Sequence, residues 1–137
     1  MRIIPYEPCH QPVFRSLNEQ WITQHWQLEE HDIECIDHPQ ESIIDRGGHI
    51  FVALYRGEPV GVCALCKMDD PRYDYELAKL AVSPGVRGKG IGYQLCKAVV
   101  DKARALGAKN IFLESNTLLK PAIHTYKKLG FRELAEY

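Results

Sequence analysis

Apolar positions recur at helical spacing from Pro12 to Leu28, where Val13, Phe14, Leu17, Trp21 and Ile22 share a face, so this stretch is predicted to be a helix. Arg2–Tyr6 before it suits a short strand. His38-Pro39-Gln40-Glu41-Ser42 opens a second, short helix with Pro39 in its first turn, and Gly47-Gly48 ends it. The pattern then changes. His49–Tyr55 is an apolar run of strand length, Arg56-Gly57-Glu58-Pro59 is a turn, and Val60–Lys67 returns as a second strand, giving a hairpin. Asp69-Asp70-Pro71 turns the chain into a further strand, Tyr73–Val82, which Ser83-Pro84-Gly85 breaks. Helical period returns from Gly90 to Leu106, with Ile91, Leu95, Ala98, Val99, Lys102 and Leu106 on one side and Gly107 as the cap. A strand at Lys109–Glu114, an amphipathic helix at Leu118–Leu129 and a short strand at Phe131–Ala135 complete the order. Hairpin-linked strands followed by strand–helix–strand–helix–strand predict an α/β (α+β) domain, a mixed sheet with helices packed on it. No repeat, linker or low-complexity stretch divides residues 1–137, which read as a single domain.

Composition narrows the class. Of 137 residues, 45% are hydrophobic and 26% charged, the balance of a folded globular domain. The formal net charge of −1 argues against a nucleic-acid binder, which usually carries a basic excess. The longest apolar run, Ile50 to Tyr55, is far short of the roughly 18 residues a membrane helix needs, and the N-terminus lacks the apolar region of a signal peptide. The expected compartment is the cytoplasm, with no membrane partner. Five cysteines form no disulfide framework. Cys63-Ala64-Leu65-Cys66 matches C-x-x-C, but it lies in a strand, where positions i and i+3 point to opposite faces and cannot hold one metal. The histidines form no ligand pair on one face, so no metal site is expected.

The charge is unevenly spread. Met1 to His49 carries nine acidic residues against three basic ones, whereas Val86 to Asn110 carries six basic residues and one acid, Asp101. The first block suits a cation and the second an anion, unless both are solvated helix faces. Within the second block lies Arg87-Gly88-Lys89-Gly90-Ile91-Gly92, between a strand and a helix. Its glycines let the backbone turn tightly and approach a ligand, and the amides at the helix start, with the helix dipole, suit a phosphate or pyrophosphate. A plain glycine-rich connection is the alternative. It is not a P-loop: position 83, where the first glycine should stand, is serine, and Gly90 follows Gly88-Lys89. Nor is it a Rossmann fingerprint, whose third glycine would fall on Tyr93.

Arg87-Gly88-Lys89-Gly90-Ile91-Gly92 matches the (Q/R)-x-x-G-x-(G/A) motif of the GNAT N-acetyltransferase superfamily. A strand ending in Leu80-Ala81-Val82 precedes it and Ser115-Asn116 follows the next strand. Then comes Ala122-Ile123-His124-Thr125-Tyr126-Lys127-Lys128-Leu129-Gly130-Phe131, which is similar to the family's A-x-x-x-Y-x-K-x-G-F segment. From about His49 to Glu133 the chain resembles this family; the first 45 residues match only in pattern. The resemblance implies a largely antiparallel sheet with a splayed central strand pair, flanked by about four helices. It implies acetyl-CoA as co-substrate, held in the opening between the Tyr73–Val82 and Lys109–Glu114 strands. The backbone of Leu80, Ala81 and Val82 would pair with the pantetheine arm. The amides of Arg87, Gly88, Lys89, Gly90, Ile91 and Gly92 would hold the pyrophosphate, with Arg87 helping to neutralise it. Asn116 would bond the pantetheine arm and Tyr126 would stand near the thioester sulfur.

The implied reaction is direct transfer of an acetyl group to a primary amine of a small molecule or peptide. The amine must lose a proton before it attacks. Glu76 is the candidate base, sharing a face by strand alternation with Ala78, Leu80 and Val82; a solvated strand carboxylate is the alternative. Tyr126 can supply a proton to the departing thiolate, or it can be core, being in register with its helix's apolar stripe. The acceptor wall expected in this family lies before the first hairpin. There, Gln27 to Asp45 has seven acids and no Lys or Arg, which suits a cationic acceptor. Trp26, Glu29 and Glu30 are the candidate contacts, against the reading of a core tryptophan and solvated acids. A catalytically silent acyl-CoA-binding regulatory or interaction module is the alternative function. Only six residues follow Phe131, so the family's usual final strand is either shortened or supplied by a second subunit in a homodimer.

Overall fold

The computed structural model describes residues 1–25, 30–70, 73–86, 89–108 and 110–112. The elements run in the order β1 (Arg2–Pro5), α1 (Gln11–His25), α2 (Glu30–Asp37), β2 (His49–Tyr55), β3 (Glu58–Asp70), β4 (Tyr73–Val82), α3 (Ile91–Ala105) and β5 (Ile111–Phe112). Single 3-10 turns at Pro8–His10 and Pro84–Val86, and one wide turn at Gln40–Ile44, join them. The sheet order is β1-β2-β3-β4-β5. The first four strands pair antiparallel in sequence order, and β5 joins β4 in parallel.

Strands β2 and β3 read as nearly continuous apolar runs because helices cover both faces of the sheet. On one face α3 lays Ile91, Leu95, Cys96, Val99 and Ala103 over Ala53, Cys63, Leu65 and Leu77. On the other, Phe14 and Leu17 of α1 and Ile36 of α2 pack with Ile50, Val52, Val62 and Ala64. Cys63 thus belongs to the α3 side and Cys66 to the α1 side, as alternation along β3 requires. The two sulfurs of the C-x-x-C match are separated by the sheet.

The region before β2 differs from the sequence expectation. One helix over Pro12–Leu28 was expected; α1 starts at Gln11 and is described to His25, and a further helix, α2, follows at Glu30–Asp37. Its sequence, Glu-His-Asp-Ile-Glu-Cys-Ile-Asp, offers only Ile33 and Ile36 as large apolar residues, and only Ile36 is fully buried. Tertiary contacts supply the rest. The Gln11 side chain donates to the carbonyls of Ile36 (3.2 Å) and Asp37 (3.3 Å), and Arg15 forms an ion pair with Asp37. These contacts tie the end of α2, where a helix has spare carbonyls, to the start of α1. The segment around Pro39 forms a wide turn rather than a regular helix, with the Asp45 amide donating to the Gln40 carbonyl at 2.8 Å. The helix expected at Leu118–Leu129 and the strand expected at Phe131–Ala135 lie outside the described residues, as do most of Lys109–Glu114 and the final strand that a second subunit was expected to supply.

Candidate active site

Strand β4 carries an irregularity that the sequence does not announce. Ala64 of β3 pairs with Ala78, and Val62, two residues back, pairs with Ala81, three residues on. One extra residue on β4 makes a bulge, and Lys79 takes the left-handed conformation, φ 56°. The bulge shifts the alternation. Leu77 before it and Leu80 and Val82 after it all face the α3 core, whereas Ala81 faces the α1 core. Glu76 pairs directly with Cys66, which packs on the α1 side. The expectation that Glu76 shares a face with Leu80 and Val82 is therefore corrected. Of Ala78, Leu80 and Val82 it shares a face with Ala78 alone, because simple period-2 counting fails across a bulge.

Glu76 nevertheless stands at a distinctive place. Among the described residues β4 and β5 share two rungs, Tyr75–Ile111 and Glu76–Phe112. Glu76 is half-buried on the second of these. Its carboxylate acts on a buried neighbour: the Cys66 thiol is pushed up to about 12, by burial first, then by the charge of Glu76 and by Cys35, with Lys79 partly offsetting them. Residues from α2, β3 and β4 thus meet around the Cys66 thiol, Glu76 among them, on the side of the sheet where α1 and α2 pack. Glu30 opens α2 and is exposed. Trp26 and Glu29 lie outside the described residues.

At the far end of β4 the chain leaves the sheet through a fixed corner. The Ser83 amide donates to the Val60 carbonyl at 2.7 Å, and the Val86 amide donates to the Ser83 carbonyl at 3.2 Å. Helix α3 then begins at Gly90, which is left-handed (φ 78°, ψ 11°). A side chain there would strain the backbone, although nothing lies within 4 Å of where its Cβ would be. The first intrahelical bond runs from the Gln94 amide to the Gly90 carbonyl, so the amides of Ile91 and Gly92 precede the ladder. Ile91 is buried and pins the helix start to the sheet, while Lys89 and Gly90 are exposed. Leu80, Ala81 and Val82 lie on the strand leading to this corner. Arg87, Gly88, Asn116 and Tyr126 lie outside the described residues.

Tyr55, read from the sequence as the end of a strand, and Arg56, read as part of a turn, also belong to this corner. The β2–β3 hairpin closes with Arg56 and Gly57 both at positive φ, 53° and 81°, the two-residue turn that suits the twist of paired strands. It brings Tyr55 beside the glycine loop. The Lys89 Nζ lies 5.5 Å from the centre of the Tyr55 ring and the Arg56 Cζ lies 5.4 Å from it. No sequence pattern links positions 55 and 56 to position 89; the sheet does.

Elsewhere, Glu7, Cys9 and His10 bring potential ligand atoms within 4.8 Å of one another. The Nδ1 of His10 already accepts the Glu7 amide at 3.0 Å, which places the proton of a neutral ring on Nε2. That is the geometry of a turn cap.

A family model described as the acetyltransferase (GNAT) family matches residues 11–131. The chain belongs to this family. Among curated relatives, an uncharacterized N-acetyltransferase of Escherichia coli (strain K12), YjgM, is 34% identical over 94 residues, 67% of this chain and 56% of its own length. Streptothricin acetyltransferase of Streptomyces lavendulae is 46% identical over 52 residues, 38% of this chain and 28% of its own. The chain thus spans about half or less of the length of the curated relatives it matches. Among solved structures, a GNAT-family acetyltransferase of Staphylococcus aureus Mu50 superposes with a TM-score of 0.86 at 20% identity, covering 98% of this chain and 85% of its own. A predicted acetyltransferase of Clostridium acetobutylicum, solved with acetyl-CoA, gives 0.80 at 16% identity, covering 99% and 92%. These likenesses establish the GNAT fold, a mixed, largely antiparallel sheet flanked by helices. Among the described residues, no helix is long and apolar enough to cross a membrane.

Proposed function

We propose that the chain is an N-acetyltransferase that moves an acetyl group from acetyl-CoA directly to a primary amine of a small molecule or peptide. The observation that carries this reading is the corner at Gly90: two helix-start amides precede the ladder and a left-handed glycine leaves its outer side open. That is the donor set a pyrophosphate needs. It occurs in a chain of the acetyltransferase family, and one structural neighbour was solved with acetyl-CoA.

The backbone amides of residues 87–92 would hold the pyrophosphate, the Arg87 side chain adding charge, and the backbone of Leu80, Ala81 and Val82 together with Asn116 would hold the pantetheine arm. Acetyl-CoA, when bound, supplies a thioester carbonyl and a thiolate leaving group. An acceptor amine, an ammonium at neutral pH, must lose one proton before its nitrogen can attack and a second as the amide forms. Glu76 takes the first; its position on the last described rung of β4 and β5 supports the role. Tyr126 returns a proton to the sulfur, so that one C–N bond forms, one C–S bond breaks and no net proton is stranded at the sulfur. The thiol next to Glu76 is a poor competitor for the acyl group. Cys66, held near 12, is protonated at neutral pH, and only a thiolate attacks efficiently. This supports direct transfer.

Trp26, Glu29 and Glu30 with the acidic segment around them favour a cationic acceptor. The streptothricin acetyltransferase among the relatives agrees with a small-molecule amine. All five cysteines are free, which supports a cytoplasmic setting.

Calorimetric titration with acetyl-CoA, beside Arg87→Glu, tests the donor site: micromolar binding lost in the variant is expected. A screen of amines for CoA release, with Glu76→Gln and Tyr126→Phe, tests the chemistry. Binding without release of CoA to any amine would move the reading to a silent acyl-CoA-binding module.

A further inference from the structure

Two cations share one aromatic ring at the edge of the glycine loop. Lys89 comes from the loop and Arg56 from the tip of the β2–β3 hairpin, and each is exposed. Tyr55 is half-buried, packed against the α3 core, so the ring is a fixed support rather than a flexible neighbour. Arg56 and Gly57 form a tight turn, which fixes where the guanidinium starts. Each charged group is attracted to the same ring, which anchors both at the edge of the loop.

This pair is not needed for a pyrophosphate, which the helix-start amides suit. The two side chains are instead drawn onto Tyr55, the last residue of β2 before the hairpin turn. We infer that Arg56 and Lys89 form a second phosphate subsite, which takes the 3′-phosphate of the CoA ribose. The inference rests on the acetyl-CoA reading and adds to it a discrimination between CoA and its dephosphorylated form. The chemistry fits. A phosphate monoester carries nearly two negative charges at neutral pH and offers three acceptor oxygens, enough for a guanidinium and an ammonium together. One opposing charge is present: Glu58 pairs directly with Tyr55 across the turn, on the same face, and is exposed. It would weaken the subsite.

The test is calorimetric titration of the full chain with CoA and with 3′-dephospho-CoA. The wild type is expected to prefer CoA by roughly tenfold at low salt, from two exposed charge pairs. Arg56→Asn removes the charge with a residue that tolerates the left-handed turn. Lys89→Gln removes the other. Each should cut the preference several-fold by weakening CoA while leaving dephospho-CoA nearly unchanged. Glu58→Gln should raise the preference, an increase that a merely damaged protein would not give. Tyr55→Phe keeps the ring and should keep the preference, and raising the salt should erode it. Equal binding of both ligands by the wild type overturns the subsite and leaves the acetyl-CoA reading standing. Equal weakening of both ligands in the two charge-removing variants assigns the cations to the pyrophosphate and also overturns it. Binding of neither ligand by the wild type overturns both readings.

Discussion

The two faces of the sheet are built differently. Among the described residues, one is covered by a single 15-residue helix, α3, whose apolar side meets β2, β3 and β4 and whose start forms the glycine corner. The other is covered by α1, the eight-residue α2 and a wide turn, held to each other by Gln11 and the Arg15–Asp37 pair. The α3 side brings cations to a helix start. The α1 side brings Cys66, Glu76 and an acidic segment together. On the proposed function, the acyl donor belongs to the corner of one face and the amine acceptor to the other, with β4 serving both.

Glu76→Gln is the strongest way to break this division. It should lower turnover by about 10²- to 10⁴-fold, the usual scale for a general base, with acetyl-CoA affinity unchanged in titration. A parallel loss of acetyl-CoA affinity would place Glu76 with the donor instead. Next come paired core truncations. Phe14→Ala and Leu95→Ala each remove a fully buried side chain and should cost about 2–5 kcal/mol in denaturant unfolding. Leu95→Ala, under the start of α3, should also weaken acetyl-CoA binding in the protein that remains folded, and Phe14→Ala should not. Equal effects on binding would mean that the faces are not separable. Gly90→Ala should cost about 1–2 kcal/mol, from backbone strain alone because its Cβ meets nothing, and should lower acetyl-CoA affinity with it. The same titration checks it.

The smallest effect at neutral pH concerns Cys66. Its folded thiol titrates near 12 against about 9 unfolded, so the folded state keeps the proton longer. That contribution is complete below pH 9 and is lost as pH rises from 9 toward 12. Cys66→Ala should leave a shallower decline of unfolding midpoint over that window and no change in its slope near pH 7. An unchanged alkaline slope would place the thiol in water.

The α3 face was legible because periodicity, a glycine start and Gly107 all point to the same helix, and the strands beneath it are long apolar runs. The acidic face was not. Helix α2 has one fully buried apolar side chain and is made by partners remote in sequence, so no local pattern marks it. Lys79 is no glycine or asparagine, so nothing in Ala78-Lys79-Leu80 signals a positive φ, and the face of Glu76 was misread in consequence. The Tyr55–Lys89 contact arises only once α3 packs on the sheet that holds β2.

The bulge makes β4 a strand with a removable spacer. Strike out Lys79, and the residues left, Glu76, Leu77, Ala78, Leu80, Ala81 and Val82, fall into plain alternation with every side chain on the face it already occupies. A chain lacking that one residue could therefore keep both cores and close its ladder, gaining regularity at a place where the observed strand bends. Whatever the deleted form lost in turnover would measure what the bend contributes to the reaction, separated from what it contributes to folding.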